Sequence, residues 1–207
     1  YNLLHEFDYE DEGSFPLTTL VALGDYLYGV CANSGLHDRG TIFRLHRNGS
    51  DFEVIHAFSQ EPDGRDPVYS LTPFNGFLYG IAYDGGKFGS GIIYKIRPDG
   101  TEYVRLHDFQ DRINGSTPYG SLYELNGYFY GMTKEGGIAD AGVIFKMCDQ
   151  SVVRQSPTLC AGMSFAVGDS VYSENGEYIN VFVAANGCDS IVYTDLTIQP
   201  NTSIEIE

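Results

Sequence analysis

The first 149 residues alternate short apolar runs with polar turns, and the pattern repeats every 51 residues. In the second copy, apolar runs occupy much of residues 68–109, and Asn75-Gly76 separates the first two. Asn-Gly between apolar runs is typical of a tight β-hairpin, because both central positions of a type I′ turn require positive φ. Each copy therefore predicts four short antiparallel strands, and no segment has a helical period.

Equivalent side chains recur in every copy without insertion or deletion. A tyrosine followed by glycine recurs as Tyr28-Gly29, Tyr79-Gly80 and Tyr130-Gly131, and an apolar-His-x-Phe sequence places His5, His56 and His107 in register. A period of this length is typical of stacked or radial arrays of supersecondary units. We expect the three tyrosines in the core and the three histidines on the fourth strands, where each makes a structural hydrogen bond. A three-histidine metal site at a common axis is the alternative.

Four antiparallel strands in each copy predict an all-β domain of three propeller-like blades over residues 1–149. Residues 1–7 match the fourth strand of a copy, whereas the third copy stops after its third strand at residues 143–147. We therefore predict that the N-terminal strand completes the last blade. Three blades are fewer than the usual four to eight. The array could close tightly, pool with a second chain, or stay open and stack on neighbours.

Residues 150–200 form a second unit with several alternating, strand-like segments. About 50 residues build a thin core, so a covalent staple is expected. Cys160 and Cys188 are the natural pair, and closing their loop would contribute about 3–4 kcal/mol in the chain-entropy model. Cys31 and Cys148 have no equivalents in the other copies. They are either free or joined as a second bridge between the first and third blades.

The net charge of −16 argues against several kinds of partner. It disfavours nucleic-acid backbones and anionic membrane surfaces, which both require a basic face. No stretch approaches the 18 apolar residues of a membrane span. The chain opens at Tyr1 without a signal-like segment, so we expect a processed mature protein or an excised piece.

Candidate chemistry is sparse. Acidic turns that resemble fragments of Ca²⁺ loops lack the spacing of known loops, so turn formation is the preferred interpretation and Ca²⁺ a weak alternative; they are Asp63-Gly64-x-Asp66, Asp84-Gly85-Gly86 and Asp99-Gly100. Asp8, Glu10, Asp11 and Glu12 form a solvated acidic run. No hydrolase or metalloprotease motif is present, which predicts a protein that is not an enzyme. Tyr69, Tyr119, Tyr83 and Tyr128 are candidates for a surface on which a glycan stacks.

The repeat resembles the GloVer-type tandem repeat of secreted bacterial proteins. The residues that carry the resemblance are Leu27-Tyr28-Gly29, Gly40-Thr41-Ile42-Phe43-Arg44-Leu45 and Leu4-His5-x-Phe7, with close variants in the other two copies. The resemblance covers residues 1–149. It implies a propeller-like fold and an exported protein, and it implies no particular activity.

The second unit resembles a small Ig-like module of adhesin-type proteins from bacteria with type IX secretion. Gly187-Cys188-Asp189-Ser190-Ile191-Val192 and Leu196-Thr197-Ile198 carry this resemblance, with Cys160-Ala161-Gly162 upstream. Residues 201–207 resemble the linker that precedes a type IX sorting domain, which is removed after export. An oxidising exterior would permit the Cys160–Cys188 bond.

These observations predict a secreted or cell-surface protein that acts by assembly or binding. Our first hypothesis is a structural or adhesive component that self-associates into a ring or filament by exchanging strands at open sheet edges. The alternative is a module that binds an extracellular carbohydrate or protein. A hydrolase fragment is the third hypothesis, and it is disfavoured because no constellation of polar residues is unique to one blade.

Overall fold

The computed structural model describes residues 1–59, 63–149, 152–183, 188 and 190–200. These residues form an all-β protein with one four-residue helix. The chain divides into two compact units, Tyr1–Met147 and Cys148–Glu207. The first unit contains one main antiparallel sheet for each copy of the repeat, and among its described residues no sheet closes on itself.

The first repeat folds into a four-stranded sheet in the order β1-β2-β3-β4. Its strands are β1 Val21–Leu23, β2 Tyr26–Cys31, β3 Thr41–His46 and β4 Glu53–Ala57. All neighbours are antiparallel, and the β1–β2 hairpin is closed at Leu23↔Tyr26 by a two-residue turn. The first residue of that turn, Gly24, has φ of 60°.

The second repeat forms the same sheet, in the order β6-β7-β9-β10. Its elements are β5 Gly64–Arg65, β6 Thr72–Phe74, β7 Phe77–Ala82, β8 Asp84–Gly85, β9 Ile92–Ile96 and β10 Val104–Asp108. The short β5 and β8 pair with each other beyond the end of the main sheet. The first repeat has an equivalent bridge between Ser14 and Asn33, so this clasp belongs to the repeat.

The third repeat has a three-stranded sheet in the order β11-β12-β13. Its elements are α1 Asp111–Asn114, β11 Ser116–Leu125, β12 Tyr128–Glu135 and β13 Ile144–Cys148. Within the described residues, no fourth strand pairs with the outer edge of β13.

The prediction that the N-terminal strand completes the last blade is wrong. Residues 1–8 form no strand, and the side chains of His5 and Phe7 pack on the first repeat. The His5 ring stacks on Phe52 at 3.7 Å, and Phe7 contacts Phe43 edge to face at 5.0 Å. The segment covers the repeat that follows it, as β4 and β10 do. The ring contacts of His5 and Phe7 hold this segment on the first repeat, so it forms no ladder with β13.

Successive repeats stack through apolar cores. The core between the first and second repeats includes Tyr28, Val30, Ile42, Phe58, Leu71 and Tyr94. The core between the second and third includes Tyr79, Ile81, Ile93, Phe109, Leu122 and Phe129. The core tyrosines were predicted correctly for Tyr28 (3% exposed) and Tyr79 (1%), whereas Tyr130 is half-buried. Tyr130 differs because no further repeat covers it among the described residues.

The glycine after each of these tyrosines is required by packing. An aromatic ring of the neighbouring strand lies directly on it, so that an added Cβ would approach ring atoms to between 2.3 and 2.5 Å. The pairs are Gly29 with Phe43, Gly80 with Tyr94 and Gly131 with Phe145. The tyrosine-glycine pair therefore recurs because the tyrosine ring packs in the core or on its edge, and the glycine makes room for an aromatic ring of the neighbouring strand.

The second unit is built around one long strand. Its strands are β14 Val152–Gln155, β15 Thr158–Cys160, β16 Phe165–Val167, β17 Ser170–Tyr172, β18 Gly176–Phe182 and β19 Ser190–Gln199. β14 and β15 both run parallel to β19, β18 runs antiparallel to it, and β16 and β17 form a separate hairpin. The predicted linker at residues 201–207 lies outside the described residues, as do Gly187 and Asp189 of the predicted module.

The predicted Cys160–Cys188 bond is wrong, because the structure joins Cys148 to Cys188 with a Cα–Cα distance of 5.7 Å. Cys160 lies opposite Gln199 at the end of β19, whereas Cys188 precedes the first residue of that strand. Ten strand residues span about 30 Å, far beyond the reach of a disulfide. The possible Cys31–Cys148 bridge is also wrong, since Cys31 is a buried free thiol.

This pairing predicts the thiol chemistry. A thiol reagent at pH 8 should modify the exposed Cys160 rapidly in the native protein. Cys31 should react only after unfolding, because it is 0% exposed and burial raises its pKa to about 11. Peptide mapping of the labelled, unreduced protein checks both statements. Label on Cys188 without prior reduction, or a Cys160 that does not react, would contradict the observed pairing.

Candidate functional site

The recurring histidines form the joint between repeats. Each lies near a polar side chain seven residues later: His5 Nε2 is 2.8 Å from Glu12 Oε2, His56 Nε2 is 3.6 Å from Asp63 Oδ2, and His107 Nε2 is 3.1 Å from Asn114 Nδ2. The same three partners accept backbone N–H groups of the intervening loop, from Asp8 (2.8 Å), Ser59 (3.2 Å) and Gln110 (2.6 Å). The arrangement fastens the loop after the histidine. The predicted structural hydrogen bond is present for His5 and His107, whereas His56 Nε2 has no hydrogen-bond partner among the described residues.

The histidines also pack on rings. Each meets the phenylalanine two residues later edge to face, at centroid distances of 5.0, 4.8 and 4.9 Å. His56 stacks on Tyr103 at 4.1 Å, as His5 does on Phe52. The position equivalent to Phe52 and Tyr103, which would supply a stacking partner for His107, is Arg154 in the sequence. The structure does not bring the histidines together, because each lies in its own joint with its own partner.

The second and third joints differ in charge. Burial acts to raise the pKa of the Asp63 carboxyl, but nearby His56 and the hydrogen bonds from Ser59 lower that pKa overall. Burial lowers the pKa of His107, despite an opposing effect of Asp108. An asparagine amide faces the His107 ring, so the neutral imidazole accepts a hydrogen bond that its protonated form cannot.

The His107 joint should therefore weaken in acid. A histidine with a lowered folded pKa stabilises the fold above its unfolded pKa near 6.5 and loses this contribution as the pH falls through the folded pKa. In Asn114→Asp, which copies the second repeat, the pKa of His107 should rise, because a carboxylate favours imidazolium. NMR titration of the ring protons measures this change, with the other histidines as internal references. An unchanged His107 titration would contradict the assignment of Asn114 as its partner.

The downstream face of the third repeat is apolar and uncovered. Equivalent positions in the first two repeats are sealed by the next repeat: Ile42 is 0% and Ile93 1% exposed, whereas Ile144 is 81% exposed. Val30 and Ile81 are each 1% exposed, and Met132 is 54% exposed. We call Tyr130, Met132 and Ile144 the downstream face. Its residues match those that hold the other repeats together.

The upstream face of the first repeat is partly uncovered. Leu71 and Leu122 are 4% and 5% exposed beneath the preceding repeat, whereas their equivalent Leu20 is 46% exposed. A hollow of about 310 Å³ lies beside Leu20 and is also lined by Leu4, Phe7 and Phe43. We call these four residues the upstream face. The N-terminal segment covers this face only in part.

The backbone of the third repeat offers an acceptor to a further strand. The carbonyl of Gly40 accepts the N–H of Phe58, and that of Gly91 accepts the N–H of Phe109, both at 3.0 Å. Among the described residues, no backbone N–H donates to the equivalent carbonyl of Gly142. The open edge therefore lacks the hydrogen bonds that a fourth strand supplies in the other repeats.

The structure brings together three of the four tyrosines proposed as a glycan surface. Tyr69 packs on Tyr119 edge to face at 5.2 Å, and Tyr69 and Tyr83 line one groove of about 410 Å³. Tyr128 lies elsewhere, beneath Lys146 Nζ at 3.3 Å. The pKa of Tyr69 is raised to about 12, mainly by burial and secondly by the neighbouring Tyr119. We call this site the tyrosine groove.

Residues missed from the sequence complete the tyrosine groove. Phe15, Asn33 and Asp66 also line it. With its amide oriented as a donor, Asn33 donates to Asp66 Oδ1 at 3.2 Å. Comparing the repeats would have revealed the site, because both groove tyrosines are unique to the second copy. The equivalents of Tyr69 are Thr18 and Gly120, and those of Tyr83 are Ala32 and Lys134.

The acidic turns are engaged in local interactions. Asp84 forms an ion pair with Arg65 across the β5–β8 clasp, and Asp99 Oδ1 accepts the backbone N–H of Thr101 at 3.0 Å. In the acidic run, Asp8 Oδ1 accepts the N–H of Glu10 at 2.8 Å. No group of three or more histidine, cysteine, aspartate or glutamate side chains within the described residues could hold a metal ion.

The fold and its joints define an all-β repeat protein whose units are joined by equivalent faces. The chain belongs to the Gloeobacter/Verrucomicrobia repeat family, whose model matches residues 1–177. The resemblance of residues 1–149 to this repeat is thereby confirmed, and membership points to a non-catalytic repeat protein. No curated protein matches the chain. The described residues contain no helix that is long and apolar enough to cross a membrane.

Proposed function

We propose that this protein is an exported, adhesive component of the cell surface with a structural role. Copies of the chain assemble head to tail, and the protein catalyses no reaction. The observation that carries the proposal is the exposure of Ile144, whose equivalents Ile42 and Ile93 are sealed between repeats. The partner of this face is another repeat of the same kind, supplied by a second copy of the chain.

The two faces match each other, because they are the two sides of the junction already made twice within the chain. The downstream face presents the positions that pack against Leu71 in one internal junction and Leu122 in the next. The upstream face presents the equivalent Leu20. Burial of apolar surface of this kind stabilises association by about 25 cal/mol per Å² before the entropic cost of docking is subtracted.

The internal junctions also give the register of the assembly. Ile42 pairs with His56, and Ile93 pairs with His107. By the same register, Ile144 of one molecule would pair with His5 of the next molecule. The N-terminal segment would then become the fourth strand of the preceding copy while it still covers its own first repeat. Such strand addition satisfies an open sheet edge.

Charge would modulate this assembly. The net charge of −16 makes copies repel one another at low ionic strength. Salt screens this repulsion, with a Debye length of about 8 Å at 0.15 M. Assembly through the two faces should therefore strengthen as salt is added, as expected for an apolar junction between acidic molecules.

Export and adhesion rest on different observations. The Cys148–Cys188 bond is consistent with an oxidising exterior. The resemblance of the second unit to an Ig-like module of surface proteins supports a role outside the cell.

A head-to-tail contact is heterologous, so it produces a ring if the rotation closes and a filament if it does not.

The mass of the purified protein tests the proposal. Light scattering across a concentration series should show species that are multiples of 22.9 kDa and grow with concentration and salt. Electron microscopy of the same samples distinguishes rings from filaments. A protein that stays monomeric at high concentration and high salt would refute the proposal.

A further inference from the structure

We propose that the tyrosine groove is a binding site for a neutral glycan chain. It is separate from the upstream and downstream faces and requires no assembly. The class of ligand follows from three properties of the groove: exposed aromatic surfaces, adjacent polar groups, and the absence of a net positive charge.

The aromatic surfaces suit sugar rings. Phe15, which lines the groove, and Tyr119, which packs edge to face on the lining residue Tyr69, are each 55% exposed, although phenylalanine is among the residues most often buried. Sugar rings present C–H groups that pack on aromatic faces, and tyrosine adds a hydroxyl at the edge of the contact. Phe15 has φ of 57°, a conformation that is unfavourable for a bulky residue. Its repeat equivalent Asp66 has the same conformation, so the turn belongs to the repeat and the aromatic ring to this groove.

The polar groups suit hydroxyl pairs. Asp66 and Asn33 lie side by side on the groove wall. Both amide N–H groups of Asn33 donate within the protein, to Asp66 Oδ1 at 3.2 Å and to the Ala32 carbonyl at 3.0 Å, so the amide oxygen and the carboxylate remain to accept from sugar hydroxyls. Lys134 is engaged by Glu135 at 3.3 Å, so its charge is balanced. An anionic glycan would meet the Asp66 carboxylate and the acidic surface of the chain. A neutral glycan meets neither penalty.

The position of the groove within the array indicates that its tyrosines do more than join neighbouring repeats. The groove lies where the first repeat meets the second, and the equivalent junction of the second and third repeats has Lys134 in place of Tyr83. A tyrosine needed only to join repeats would recur at both junctions, as the buried glycines and aromatic rings do. Tyr69 and Tyr83 recur at neither equivalent position.

Calorimetry with defined oligosaccharides tests the site. The probes are neutral glucose hexamers with β-1,3, β-1,4 and α-1,4 linkages, a β-1,4 mannose hexamer, and an anionic galacturonate hexamer. At least one neutral hexamer should bind and the anionic one should not. Tyr83→Ala and Phe15→Ala remove aromatic rings that line the groove, and each should weaken binding by about tenfold or more. Tyr123→Ala removes a tyrosine that is 65% exposed on the same strand as Tyr119 and does not line the groove, so it should bind as the unaltered protein does.

Several outcomes would overturn the site. They are no heat from any neutral hexamer, preferential binding of the anionic hexamer, or equal losses in Tyr123→Ala and Tyr83→Ala. Thermal melting of each variant confirms that it is folded. Repeating the titration in Ile144→Asp separates the two proposals, because binding should persist there even if assembly is lost.

Discussion

Ile144→Asp is expected to hold the protein as a 22.9-kDa monomer under conditions in which the unaltered chain assembles. Ile144 is 81% exposed in the single chain but would be sealed in a head-to-tail junction, as Ile42 and Ile93 are at 0% and 1%. Burying an unpaired carboxylate costs about 3 kcal/mol or more, which is about a hundredfold in the association constant. Sedimentation velocity over a concentration series measures the loss.

A matched control lies in the same repeat. Ile138 is 103% exposed, and its equivalents Leu36 and Lys87 are also exposed, so no junction between repeats buries this position. Ile138→Asp adds the same charge and should assemble like the unaltered protein. Assembly that survives Ile144→Asp, or is lost equally in Ile138→Asp, would show that the copies do not join through the downstream face.

Phe58→Ala is expected to lower the free energy of unfolding of the first unit by about 3–5 kcal/mol. Phe58 is 0% exposed and lies edge to face with His56 at 4.8 Å and Tyr94 at 5.3 Å. Its removal would leave a cavity in the core that joins the first and second repeats. Urea denaturation followed by far-UV circular dichroism measures the change.

The repeat supplies the control for this substitution as well. Phe7 occupies the equivalent position, makes the same edge-to-face contact with His5, and is only half-buried. Phe7→Ala should therefore lower the free energy of unfolding by about 1–2 kcal/mol. Equal losses at the two positions would mean that the N-terminal segment seals the first repeat as tightly as β4 seals the second.

The strands of each repeat could be predicted from the sequence, because the signals for them are local. Asn75-Gly76 separates two apolar runs and closes the β6–β7 hairpin in the structure. Gly80 recurs because the Tyr94 ring packs on it, and the sequence displays both partners. Hairpin turns and alternating burial act over a few residues, so they can be recognised without knowing the neighbours of the sheet.

The candidate sites were harder to predict. Tyr69, Tyr83 and Tyr119 were recognised as a possible surface, but Tyr128 was grouped with them although it lies under Lys146. Asn33 and Asp66 are ordinary turn residues by sequence, and only folding brings them into one groove. The disulfide was mispaired because the distance between cysteines depends on which end of β19 each one reaches.

The amino-acid sequence by itself determined the unit of this protein: a sheet of short antiparallel strands, repeated every 51 residues and fastened by a recurring histidine. Only the tertiary structure decided which surfaces of those units meet. Ile42, Ile93 and Ile144 occupy the same position in one repeated pattern, yet two are buried and one is exposed. The physical reason is that burial between repeats depends on a neighbour far away along the chain, and a pattern that is the same in every copy cannot specify which copy has one.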